Sequence, residues 1–132
     1  MAAGRYSFTI EQGATLDFEL AYKDSNNDPI DLTGYQGRMQ IRPAIGDSTI
    51  HITLSSSLDA DGTGLNFSGS DGLNPPTSGT IGIFISAASS SLLNFGEAVY
   101  DLEIATIAAN PIVTRLLEGK VQLSKNVTLG SF

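Results

Sequence analysis

The chain has 132 residues, one histidine, no cysteine and no tryptophan, and its 14 acidic against 7 basic side chains give a formal net charge of −7. The missing cysteines exclude disulfides, thiolate nucleophiles and cysteine-based zinc sites. The acidic balance disfavours a phosphate-backbone partner, which needs a lysine/arginine patch to release counterions. Hydrophobic residues make up 41% of the chain, and a chain of this length buries roughly 68% of its unfolded surface on folding, so residues 1–132 are expected to form one domain with short N- and C-terminal arms.

Alternation of apolar and polar residues dominates from the start. Tyr6–Ile10 sets Phe8 and Ile10 on one face, and the glycine of Gln12–Ala14 marks a turn. In Thr15–Lys23, Leu16, Phe18, Leu20 and Tyr22 alternate with Asp17, Glu19, Ala21 and Lys23, the pattern of a strand with one buried and one wet face. The cluster KDSNND over Lys23–Asp28 reads as a turn, closed by the strand breaker Pro29. Gly37–Arg42 alternates Met39 and Ile41 with Arg38, Gln40 and Arg42. Thr49–Leu54 sets Ile50, Ile52 and Leu54 inward and turns His51 towards solvent or a neighbouring subunit.

The middle of the chain, Ser55–Ser78, is rich in Ser, Gly and Asp and carries Pro75–Pro76, with Gly64–Phe67 as a short strand inside it. Thr80–Ile85 resumes the alternation with Ile81, Ile83 and Ile85 inward. Ser86 is an N-cap for one short helix near residues 87–93, with Ala88, Leu92 and Phe95 packing back. Glu97–Ala105 and Val113–Leu123 pair as a long hairpin whose turn is marked by Asn110 and Pro111, and Leu117, Gly119, Val121 and Leu123 share a face. About eight or nine strands at ~10-residue spacing predict an all-β, antiparallel β-sandwich, either jelly-roll or Ig-like.

Chemistry is sparse. His51 is the one histidine, no G-x-S-x-G pattern accompanies it, and the serines fall in loop-like sequence, so no triad assembles from the pattern. Asp24, Asn26 and Asp28, and again Asp59, Asp61 and Gly62, have the spacing that opens a calcium loop, but the twelfth positions are Tyr35 and Ser70 instead of glutamate. Asp, Asn and Gly at these places read first as turn residues. Asp101 and Glu103 share a strand face, yet no tryptophan or ring of aromatics flanks them to hold a sugar. The tyrosines Tyr6, Tyr22, Tyr35 and Tyr100 fall mostly on inward phases, which argues against a glycan pocket. No catalytic residue, cofactor site or metal site is expected. Arg38, Arg42 and Asp101 on strands, and Asp59 and Asp71 in the long loop, are the expected interface residues. The Gly-, Ser- and Pro-rich segment Asp59–Ser78 is expected to serve as an adaptable contact surface on a rigid scaffold.

Pro29–Arg42, PIDLTGYQGRMQIR, resembles a segment found in tail and baseplate proteins of tailed bacteriophages, in which a strand enters a corner and leaves on a charged, alternating strand. In this corner Leu32 tucks inward, Gly34 takes a conformation closed to residues with a side chain, and Tyr35 caps the sandwich. EQGATLDFEL precedes it, and GTIGIFISAASSSLL, VYDLEI and RLLEGKVQLSKNVT follow, so the resemblance runs from about Tyr6 to Thr128. The order of elements is similar to the N-terminal domain of phage baseplate upper proteins. The resemblance implies a non-enzymatic virion structural protein, a tail, baseplate or fibre-adaptor subunit acting through protein–protein contacts. The alternatives are a capsid or neck decoration (cement) protein and a receptor- or glycan-binding module. It further implies other virion proteins as partners, a homo-oligomer or symmetric assembly, no nucleic acid and no membrane, and a place in the virion after assembly in the bacterial host cytoplasm.

Overall fold

The structure is a computed structural model that describes residues 3–129. Nine strands and one short α-helix follow one another: β1 (Gly4–Arg5), β2 (Phe8–Glu11), β3 (Leu16–Ala21), β4 (Tyr35–Arg42), β5 (Ile52–Ser55), β6 (Gly64–Asn66), β7 (Thr80–Ile85), α1 (Ala87–Ser91), β8 (Glu97–Thr106) and β9 (Val113–Ser124). They form a six-stranded sheet in the order β1-β9-β8-β4-β5, with β2 also on β9, and a three-stranded sheet in the order β3-β7-β6. The second and fifth strands of an immunoglobulin sandwich lie together, as do its third, sixth and seventh. Here β3-β7-β6 and β9-β8-β4-β5 reproduce that grouping, so the sandwich is Ig-like in strand order and not a jelly roll.

The core is the inward phase of each alternating strand. Met39 and Ile41 from β4, Leu54 from β5, Ile81, Ile83 and Ile85 from β7, Leu102 and Ile104 from β8, and Val121 from β9 are all buried in one cluster. Burying each such side chain contributes about 1.5–3 kcal/mol. Leu32 joins them from the β3–β4 connection, and Gly34 turns the chain with φ +82°, left-handed backbone that a Cβ disfavours. Both features agree with the corner read from the sequence.

Four details differ from the sequence reading. The first strand is split at Tyr6–Ser7, and β1 and β2 both pair with β9 in parallel, so the six-stranded sheet is not purely antiparallel. The split is held by side chains: Ser7 Oγ accepts from Lys120 N at 3.2 Å, and Tyr100 Oη donates to the Tyr6 carbonyl at 2.6 Å. Burial of that hydroxyl, with Tyr6 beside it, pushes the Tyr100 pKa up to about 12. Gly119 lies where a Cβ would overlap the Tyr6 carbonyl oxygen, so its lack of a side chain is what lets the N-terminal edge close.

The second difference lies on β9. A β-bulge opposite Leu102/Glu103 pairs Leu102 with Leu117 and Glu103 with Arg115, leaving Leu116 as the extra residue. Leu117, Gly119, Val121 and Leu123 keep one phase beyond the bulge, while Leu116 is buried before it. Third, β5 begins only at Ile52. Ile50 is exposed, and His51 is turned out of the expected solvent-facing position to stack on Phe95 with ring centroids 4.5 Å apart.

Fourth, α1 is capped by Ser86, whose Oγ accepts from Ser89 N at 3.1 Å, but it turns a different face inward. Ala88 is exposed and Leu92 is 84% exposed; Phe95 is buried as expected, and Ser90 and Leu93 are buried in place of the other two. Ser90 can be buried because its hydroxyl donates to Ala14 O at 2.8 Å and accepts from Gly13 N at 3.1 Å, tying the helix to the β2–β3 turn. A satisfied hydroxyl carries little desolvation cost.

Candidate functional site: the outer face of the six-stranded sheet

The outward phases of β4, β8 and β9 lie side by side and carry most of the cations of the protein. Register places Arg38 opposite Glu103 and Glu103 opposite Arg115; Gln40 opposite Asp101 and Asp101 opposite Glu118; Arg42 opposite Val99 and Val99 opposite Lys120. Arg5 of β1 pairs across from Glu118. An acidic stripe of Asp101, Glu103 and Glu118 is thus flanked by Arg38 and Arg42 on one side and by Arg5, Arg115 and Lys120 on the other. These side chains line a shallow concavity of about 690 Å³, with Ala44, Ile45 and Gly46 of the β4–β5 connection at one rim.

Five of the seven basic residues line this concavity, against three acidic ones, and the rest of the chain holds two basic and eleven acidic residues, Glu97 beside Lys120 among them. The concavity is therefore less acidic than the rest of the protein. The basic residues look scattered in sequence, and the pairing of β4, β8 and β9 gathers them.

Most of the charges are already in use. Arg38 Nε donates to Glu103 Oε1 at 2.9 Å, and Arg115 lies 3.4 Å from Asp101 and 3.6 Å from Glu118. Lys120 is 3.8 Å from Glu97 and Arg5 is 4.0 Å from Glu118. Such exposed pairs add little stability. Partial burial pushes the Asp101 carboxyl above the usual range, with Glu103 adding to the rise and Arg115 and Arg38 opposing it. Arg42 differs from the others. Its guanidinium donates to Gln40 Oε1 at 2.7 and 3.2 Å and to Asp47 O at 2.6 Å, and no carboxylate pairs with it among the described residues. Held in place by neutral acceptors, it keeps its full charge available to an incoming acid.

Of the expected interface residues, Arg38, Arg42 and Asp101 come together here. Asp59 and Asp71 do not: Asp59 closes a turn in the β5–β6 connection and Asp71 caps a turn in the β6–β7 connection. Arg5, Arg115 and Lys120 are the members that sequence reasoning missed. Their outward phase on adjacent strands was the available signal, but the bulge between Arg115 and Lys120 breaks the spacing that would reveal it.

The β6–β7 connection, expected to be an adaptable surface, is fastened to the sandwich. Ser70 N donates to Glu19 Oε2 at 2.7 Å, Leu32 N to Pro76 O at 3.0 Å and Tyr22 N to Gly79 O at 2.8 Å. The acidic loops are likewise occupied by hydrogen bonds within the protein. Asp24 Oδ1 accepts from Asn26 N and Asp28 N, and Asp61 accepts from Thr63 N, Ser86 Oγ and Ser89 Oγ. Those bonds, that of Ser86 first, hold the Asp61 pKa down to about 2. Among the described residues no group of three or more histidine or acidic side chains is placed to hold a metal ion, and no helix is long and apolar enough to cross a membrane.

The fold and this face define an Ig-like sandwich with a charged, shallow sheet surface. No protein-family model matches the chain, and no curated protein matches it significantly.

Proposed function

We propose that this protein is a non-enzymatic structural component of a tailed-phage virion, a tail, baseplate or fibre-adaptor subunit that binds its neighbours through the outer face of the six-stranded sheet. The gathering of Arg38, Arg42 and Asp101 on one open, shallow face supports contact with a protein surface over turnover of a small substrate. The ordered likeness of PIDLTGYQGRMQIR and the segments around it to phage tail and baseplate proteins supports the particle. A stable contact of this kind buries on the order of 1,000 Å² or more, and the hairpin tip extends the charged face, with Pro111 and Val113 bordering a second shallow concavity beside Arg38 and Glu103.

The test is to produce particles carrying wild-type protein or Arg38→Glu/Arg42→Glu and to measure its copy number by mass spectrometry. The expected result is protein in the tail fraction and a several-fold loss with the variant. Recovery in the capsid fraction selects the decoration reading, and absence from particles overturns the proposal.

A further inference from the structure

We propose that residues 125–129 of one copy add as an edge strand to β3 of a second copy. This deepens the reading above by naming the contact between copies. It is tested on the purified chain, so its failure is separate from the failure of the virion assignment.

The recipient is an open sheet edge. In the order β3-β7-β6, β3 ends its sheet, and no strand among the described residues pairs with its other side. Its alternation is unbroken, yet Leu16, Phe18 and Leu20 are only half-buried, unlike the inward side chains of the central strands. Tyr6 lies beside this edge, 48% exposed, with its ring 5.8 Å from that of Phe18. The N-terminal strands, which would cover β3 had they joined the smaller sheet, lie on β9 instead. An edge of this kind binds an extended segment through backbone hydrogen bonds and takes alternate side chains into its apolar side.

The donor has the matching pattern. After β9, Val127 is 96% exposed and Leu129 79% exposed, two residues apart, with polar Asn126 and Thr128 on the other phase. With Val127 and Leu129 turned to the apolar side of β3, Asn126 and Thr128 fall on the side of exposed Asp17, where their polar groups match its carboxylate. Among the described residues the segment makes no strand pair in its own copy, and Asn126 bonds there to Thr128 O and Gln12 Oε1. Val127 does not cover β3 of its own copy: it is 96% exposed, and the ladder of β9 ends at Ser124 on the other sheet.

Light scattering of the full chain across a concentration series should give a mass that is a multiple of one chain. Val127→Asp/Leu129→Asp should return it to a single chain with unchanged thermal unfolding, because both side chains are exposed in their own copy. The chain has no cysteine, so Glu19→Cys/Thr128→Cys introduces the sole thiols, and oxidation should link them between copies. A single-chain mass at all concentrations, an oligomer untouched by the double Asp variant, or a disulfide formed within one chain would each overturn the proposal.

Discussion

β8 and β3 have equally regular alternation in sequence, and the structure treats them differently. On β8, Ala98, Tyr100, Leu102 and Ile104 are all buried, because β9 and β4 flank the strand on both sides and the second sheet covers its inner face. On β3, Leu16, Phe18 and Leu20 stay half-buried, because β7 is the one strand at its side. The same period of 2 therefore marks which side chains face the core, while the number of neighbours sets how much water each one loses.

The largest test of this contrast pairs two truncations. Leu102→Ala should lower the unfolding free energy by about 3–4 kcal/mol, inside the range for fully buried leucines. Phe18→Ala removes a larger side chain yet should cost only roughly 2 kcal/mol, below the ~3–5 kcal/mol of a fully buried phenylalanine. Equal losses in urea titrations, or a larger loss for Phe18, would mean that β3 is covered as completely as β8.

Gly119→Ala sharpens the comparison at the closed edge. The added methyl meets the Tyr6 carbonyl and the Tyr100 ring, so it should cost about 1–3 kcal/mol as overpacking and open the N-terminal strands to amide exchange before the rest of the sheet. Gly34→Val probes strain alone, since nothing lies within 4 Å of a Cβ there while φ is +82°. Its expected cost is about 1–2 kcal/mol, with no change in exchange at the N-terminal edge.

The smallest effect at neutral pH concerns the brace between the β5–β6 connection and α1. Hydrogen bonding holds the Asp61 pKa down to about 2 in the folded state, below the ordinary 3.8 of an aspartate, so the ionised carboxylate stabilises the fold above the higher value and loses that contribution as pH falls through the lower one. The stability difference between wild type and Asp61→Asn should be constant near neutrality and shrink between about pH 4 and pH 2. A difference that grows in that window would contradict the bonding to Ser86, Thr63 and Ser89.

Misread positions share a cause. A serine hydroxyl reads as surface, and the two bonds of Ser90 to the β2–β3 turn exist only once residues 13–14 and 90 are neighbours. Alternation over Thr49–Leu54 points His51 outward, but β5 starts only at Ile52, and Phe95, the stacking partner of His51, is far away in sequence. Leu116 required a bulge that only cross-strand pairing reveals.

The candidate site divides the same way. Arg38, Arg42 and Asp101 were legible because each lies on the polar phase of an alternating strand, while their assembly with Arg5, Arg115 and Lys120 was not. By itself the sequence determined the all-β class, the main strands apart from β1, their inward phase apart from the start of β5, and the left-handed turn at Gly34, since these follow from side-chain period and local backbone sterics. Tertiary structure alone decided which sheet the N-terminal strands join, which edge stays open and which charges become neighbours. Those choices rest on pairings between residues distant in the chain, such as Gly119 with Tyr6 and Arg38 with Glu103, whose energies have no local signature.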